Sequence, residues 1–124
     1  MATVCVRYIV DDVDAAVTFY TNHLGFSVEM HPAPGFAMLS RGDLQLALNA
    51  PGAGGGGQAT GDARPTPGGW NRFQLVVDDL DERVTRLRDA GVSFRTLVDG
   101  NGGRQAVIDD PAGNPVELFQ PADA

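Results

Sequence analysis

Val10-Asp11-Asp12-Val13-Asp14 and Val77-Asp78-Asp79-Leu80-Asp81 are nearly the same sequence, and they lie sixty-seven positions apart. Two further stretches continue the repeat: residues 24–28 match residues 90–94, and residues 46–48 match residues 116–118. Self-similarity at a nearly constant spacing indicates a duplicated structural unit. The chain is therefore predicted to contain two modules of one design.

Each module begins with alternation that is typical of a strand. The apolar face of the first strand consists of Val4, Val6, Tyr8 and Val10, and its opposite face of Cys5, Arg7 and Ile9. The apolar face of the second strand consists of Phe73, Leu75 and Val77, and its opposite face of Trp70, Arg72, Gln74 and Val76. Polar and aromatic side chains on the opposite faces are the first candidates for a binding site.

Apolar residues at helical spacing follow each strand. They are Val13, Val17, Tyr20 and Leu24 in the first module, and Leu80, Val84 and Leu87 in the second. Aspartates at 11, 12, 78 and 79 suit helix N-termini, and Gly25 and Gly91 suit the left-handed residue that follows a helix. Each module is therefore predicted to contain one helix.

Short apolar runs after each helix predict three more strands in each module. They span about residues 26–31, 36–41 and 44–49, then 92–98, 104–109 and 115–119. The prediction is an α+β fold in one domain, residues 1–124, with βαβββ modules at 1–49 and 70–120. Whether Phe36 and Met38 or Ala37 and Leu39 face a site stays open.

Residues 50–69 hold eight glycines and three prolines, which predicts a loop between the modules, without a core, that is able to cover a site. Residues 52–57 match G-x-G-x-x-G, but no helix or βαβ crossover follows them. We interpret the segment as low-complexity sequence and not as a phosphate-binding loop.

Composition excludes several classes of function. The chain has 124 residues, 43% of them apolar, which is enough for a core. Its net charge of −7 disfavours nucleic acid and anionic membranes as partners, and no lysine is present to form a Schiff base. The single cysteine and the lack of a signal peptide or membrane span predict a cytoplasmic protein.

Three motifs carry a resemblance to a known family. They are Asp-x-Asp-x-x-x-x-Phe-Tyr at 12–20, His-Leu-Gly-Phe at 23–26, and Asp-Pro-Ala-Gly-Asn-Pro-Val-Glu-Leu at 110–118. With two βαβββ modules, they resemble the vicinal oxygen chelate superfamily, which includes glyoxalase I, extradiol dioxygenases, fosfomycin-resistance enzymes and bleomycin-resistance proteins. The resemblance implies a curled mixed sheet around a cleft, with the helices outside, and a homodimer.

In the enzymes of that superfamily, each module supplies two ligands to a divalent metal, usually His, Glu or Gln. The resemblance places these positions at Cys5, Ala47, Arg72 and Glu117, or at Arg7 and Gln74 if the first strands are shifted by two residues. Only Glu117 in the first set is a usual ligand, and an arginine has no lone pair to donate. We therefore predict no metal and no other cofactor.

Arg72 and Glu117 are instead predicted to form a bidentate ion pair where the metal would lie. The pair would contact a ligand, with Arg72 as the anchor for an anion or carbonyl, or it would only satisfy two buried charges. The remaining candidate ligand-binding residues are Trp70, Gln74, Cys5, Arg7, Asn49 and Phe119, with His31 and Gln45 as weaker ones. Cys5 is otherwise expected to be a small inward-facing apolar residue, and His23 to complement the helix dipole.

Three functions follow from these expectations. The first is a metal-independent protein that sequesters a small organic molecule, as bleomycin-resistance proteins do. The second is an enzyme of the glyoxalase or dioxygenase type, with a metal on Glu117, Cys5 or His31, or without metal and with Glu117 as the general base. The third is a structural or regulatory dimer.

The acidic net charge has two interpretations: it favours a cationic ligand, or the acidic side chains only solvate the surface. We prefer the second interpretation.

Overall fold

The computed structural model describes residues 4–122 and contains the two predicted βαβββ modules. The first consists of β1 (Val4–Ile9), α1 (Val13–His23), β2 (Ser27–Ala33), β3 (Phe36–Arg41) and β4 (Leu44–Asn49), followed by a 3-10 turn at Gly55–Gly57. The second consists of β5 (Gln74–Val76), α2 (Leu80–Asp89), β6 (Phe94–Gly100), β7 (Gly103–Asp109) and β8 (Pro115–Pro121). Neither helix in the described part of the chain is long and apolar enough to cross a membrane.

Each module forms its own four-stranded mixed sheet, and the chain divides into two compact units, Met1–Gly68 and Gly69–Ala124. The strand orders are β1-β4-β3-β2 and β5-β8-β7-β6. The first strand of each module pairs in parallel with the last, and the remaining pairs are antiparallel. The predicted α+β class and the duplication are confirmed.

The predicted helix ends are also confirmed. The carboxylate of Asp12 accepts a hydrogen bond from the backbone N–H of Ala15 at 3.0 Å, and Asp79 caps α2 in the same way through Glu82 at 3.1 Å. Gly25 and Gly91 have φ angles of 73° and 81°, which favour glycine because it lacks a Cβ.

Each helix covers one face of its own sheet and builds a core there. In the first module, the core includes Tyr8, Ala16, Phe19, Tyr20, Ala37, Leu39, Leu46 and Leu48. In the second, it includes Leu75, Val77, Leu80, Leu87, Ala106, Ile108, Val116 and Leu118. Since Ala37 and Leu39 are buried in this core, strand alternation places Phe36 and Met38 on the opposite face. Polar residues of the first and last strands share that opposite face.

The turn between β7 and β8 explains the most specific sequence motif. Asp110 is buried, and its carboxylate accepts hydrogen bonds from the N–H groups of Ala112 at 2.9 Å and Asn114 at 2.8 Å. The side-chain amide of Asn114 donates to the same carboxylate at 3.2 Å. These bonds close the turn and set where β8 begins, and therefore where Glu117 lies.

One segment differs from the prediction, and a second shows local structure within a predicted loop. The strand expected from Trp70 onward is formed only by Gln74–Val76, because its pairing with β8 begins at Gln74, opposite Glu117. The glycine-rich loop, predicted to have no core of its own, contains the short 3-10 turn, in which Gly57 is buried.

Candidate functional site

Three polar side chains of the second module meet on the sheet face opposite α2, and we call them the Glu117 cluster: Arg72, Gln74 and Glu117. Gln74 and Glu117 are direct partners in the parallel β5–β8 pair. The Arg72 Nε and Nη2 atoms lie 3.0 and 2.9 Å from Glu117 Oε1, and Gln74 Nε2 lies 2.6 Å from Oε2. The predicted ion pair is therefore present.

The geometry of this pair differs from the expected bidentate one in a single respect. Both guanidinium nitrogens approach the same carboxylate oxygen, because Gln74, directly opposite Glu117 in the sheet, donates to the other oxygen. Glu117 is only 8% exposed, and burial of a carboxylate without partners is costly. The cluster therefore compensates a buried charge with three donor groups.

The residues present do not fit a divalent metal. Arg72 is a cation without a lone pair, Ala47 has no donor atom, and both oxygens of Glu117 accept hydrogen bonds from side chains, so Cys5 supplies the one uncommitted ligand atom of the first set. Placing the ligands in the alternative register adds only the amide oxygen of Gln74, whereas catalytic zinc usually has three protein ligands. Within residues 4–122, no three His, Cys, Asp or Glu side chains are grouped so that they would hold a metal ion.

Trp70 lies outside β5, so strand alternation does not place its side chain. The indole ring is instead positioned by Arg95, because the central carbon of its guanidinium lies 4.6 Å from the centre of the ring. Arg95 is itself fixed by Asp109 at 2.6 Å, the Gly113 carbonyl at 2.8 Å and the Gly69 carbonyl at 2.5 Å. Trp70 is 64% exposed, so its ring is held in place without being buried.

Replacing Arg95 with leucine is expected to free the Trp70 ring. Trp70 is the only tryptophan, so the steady-state fluorescence anisotropy of the protein should fall as the ring gains local motion. The matched control is Arg88→Leu, because the Arg88 guanidinium lies over Phe94 at 5.1 Å and not over Trp70. Equal anisotropy in the two variants and the parent would show that Arg95 does not hold the ring.

The first module has an open pocket of about 470 Å³ beside its sheet, which we call the Arg7 pocket. It is lined by Arg7, Phe36, Asn49 and the glycines at 54–56. The Arg7 Nη1 donates to Asn49 Oδ1, and Asn49, which is 1% exposed, donates from Nδ2 to the Ala53 carbonyl at 3.1 Å. Arg7 and Asn49, both predicted as site residues, are therefore brought together.

The glycine-rich loop forms one wall of the Arg7 pocket. A Cβ at Gly56 would overlap the Arg7 guanidinium, so only glycine permits this close approach. This role was not predictable from the sequence, because periodicity contains no signal for how a loop packs. The role of Arg95 was not predicted either, although an arginine inside the apolar run at 92–98 is a visible exception in the sequence.

The remaining candidates have other neighbours. Cys5 lies on the same sheet face as Arg7, with its Sγ 4.0 Å from Met38 Sδ, but it is exposed and not at a crowded position. His31 Nε2 lies 3.4 Å from Asp14 Oδ1 on α1, and the His23 ring is 5.4 Å from that of Phe19. Gln45 is the strand partner of Cys5, and Phe119 is half-buried on the same strand as Glu117.

Comparisons with known proteins agree with this architecture. No curated protein matches the sequence. A lactoylglutathione lyase from Agrobacterium tumefaciens is 26% identical, with a TM-score of 0.76 over 96% of this chain and 92% of that one. TnmS3, an antibiotic binding protein from Streptomyces sp. CB03234, is also 26% identical, with a TM-score of 0.71 over 95% and 93%. A member of the glyoxalase/bleomycin resistance protein/dioxygenase superfamily from Sphaerobacter thermophilus DSM 20745 is 29% identical, with a TM-score of 0.73 over 97% of this chain and 98% of that one.

The family model agrees with the structural neighbours and covers most of the sequence. It matches residues 3–118, which extend from β1 into β8 and include the turn motif before Glu117. The chain belongs to the glyoxalase/bleomycin resistance protein/dioxygenase superfamily.

Proposed function

We propose that this protein binds and sequesters a small organic molecule without a metal ion. One observation carries the proposal: both carboxylate oxygens of Glu117, the only usual metal ligand at the first set of family positions, are engaged by Arg72 and Gln74. A metal on Glu117 would have to displace a cation that lies 2.9 Å away. The similarity to the antibiotic binding protein TnmS3 supports a binding role.

In this proposal, the exposed ring of Trp70 stacks on a flat part of the ligand. Arg95 already covers one face of the ring, so the indole is ordered before the ligand arrives and less entropy is lost on binding. The Glu117 cluster and Phe119 supply polar and apolar contacts nearby on the second sheet. We further propose, from the resemblance, that the protein acts as a cytoplasmic homodimer.

The alternative is an enzyme, and the similarity to a lactoylglutathione lyase favours it. In that case, Glu117 would act as a general base, or it would hold a metal after release from Arg72. The two functions differ in what Glu117→Gln does. An enzyme loses turnover in this variant, whereas a sequestering protein shows saturable binding and no product in both forms.

The proposal is tested first by elemental analysis of protein purified without a polyhistidine tag or chelator. We expect essentially no bound iron, nickel, zinc or manganese, and none after incubation with these ions and dialysis. About one equivalent of any of them per chain would contradict the proposal, since it would require a complete ligand set.

A screen of organic compounds by Trp70 fluorescence then identifies ligands, and Trp70→Ala should weaken their binding.

A further inference from the structure

We propose that the Arg7 pocket binds the carboxylate of a flat organic anion, with Arg7 as the anchor. This inference rests on the proposed function and adds to it, because it gives the first module a binding site of its own and names the class of molecule that this site would take. It assigns the anchor to Arg7 in the first module, whereas the sequence analysis assigned it to Arg72.

The difference between the two arginines lies in their partners. The charge of Arg72 is neutralised by Glu117 at 2.9 Å. Arg7 donates to the neutral amide oxygen of Asn49, and no carboxylate of residues 4–68 lies within 4.0 Å of its guanidinium. A guanidinium has five N–H donors and binds carboxylates through two parallel hydrogen bonds. Arg7 therefore has both charge and donors available for a ligand.

Arg7 is also held in position before any ligand binds. Asn49 is 1% exposed, and its amide is oriented by two contacts, since Oδ1 accepts from Arg7 and Nδ2 donates to Ala53. Gly56 packs against the other side of the guanidinium, where a Cβ would not fit. An anchor that is already oriented loses less conformational entropy on binding.

The size and lining of the pocket define the rest of the ligand. A volume of about 470 Å³ is typical of pockets for small organic molecules. Phe36 supplies an aromatic surface in the same pocket, and aromatic rings favour flat, apolar partners. The net charge of −7 repels anions at long range, but at physiological salt such effects are screened beyond about 8 Å. Contact with Arg7 therefore decides whether the pocket prefers an anionic ligand to an uncharged one.

The test compares 2-naphthoate with the uncharged 2-naphthamide, which has the same ring system, by isothermal titration calorimetry. We expect 2-naphthoate to bind at least about tenfold more tightly, since hydrogen bonds to charged groups are the stronger ones. Arg7→Gln should abolish this preference. Arg64→Gln, which removes the same charge from an exposed loop position, should retain it.

A second variant moves the anchor without removing it. Gly56→Ala should push the flexible Arg7 side chain aside and reduce the preference for 2-naphthoate, with little change in thermal stability. Gly102→Ala is the control, because a Cβ there meets no atom within 4 Å. Retention of the preference in both Arg7→Gln and Gly56→Ala would overturn the inference.

Failure of this inference can be separated from failure of the proposed function. Equal affinity for the two probes would overturn the role of Arg7 and leave a metal-independent binding protein. Absence of binding by both probes at millimolar concentration would also overturn the inference. The proposed function is judged separately, by the metal content and the compound screen.

Discussion

Replacing Arg72 with methionine is expected to lower the free energy of unfolding by about 2–3 kcal/mol, because it leaves the Glu117 carboxylate buried without its cation. Glu117 keeps only 10% of its side-chain surface accessible, so water cannot replace the guanidinium fully. The estimate is below the largest values for buried pairs, since Arg72 itself is 27% exposed and Gln74 still donates to the carboxylate. Urea denaturation followed by circular dichroism measures the change.

A double-mutant cycle separates the ion pair from other effects of the substitution. Arg72→Met combined with Glu117→Leu removes both charges, and we expect it to recover most of the stability lost in Arg72→Met alone. Arg83→Met on α2 is the control for loss of an arginine outside the cluster. If the double variant is as unstable as the sum of the two single variants, Arg72 and Glu117 are not coupled.

Replacing Asp110 with alanine is expected to lower the free energy of unfolding by about 3 kcal/mol. The carboxylate accepts hydrogen bonds from Ala112 and Asn114, and its loss leaves donors in a buried turn without partners. Since this turn sets the start of β8, we also expect the Glu117 cluster to become disordered. The measurement is again urea denaturation.

Two controls make the Asp110 result specific. Asp43→Ala removes an exposed aspartate from the turn between β3 and β4 and should change the free energy of unfolding by less than about 0.5 kcal/mol. Asp110→Asn retains one acceptor oxygen and should lie between the parent and Asp110→Ala. An Asp110→Ala variant as stable as the Asp43 control would show that the turn is closed by other contacts.

Most of the fold was predictable because local chemistry determines it. Asp12 and Asp79 cap helices through their own side chains, and Gly25 and Gly91 end them through their backbone freedom. The duplication then allowed the second module to be inferred from the first. The extent of β5 was not predictable, since the alternation begins at Trp70 and Arg72, before the strand itself begins at Gln74.

The candidate site was predictable only in part. Strand alternation placed Arg72, Gln74 and Glu117 on one face, and their meeting follows from the parallel pairing of β5 with β8. The contact of Arg95 with Trp70 depends on how a strand approaches the preceding loop, and no periodicity describes that. The close contact between Gly56 and Arg7 was not predictable either, because it depends on the three-dimensional course of the loop.

The duplicated architecture allows the two copies of one strand pair to specialise. Arg7 pairs with Ala47 in the first module, and Gln74 pairs with Glu117 in the second. Because Ala47 has no functional group, Arg7 has no carboxylate directly opposite it in the sheet, whereas the second copy holds Glu117 together with the Arg72 cation that neutralises it. Substitutions in one copy need not be matched in the other, so the two copies can differ in charge while both keep the same strand pairing.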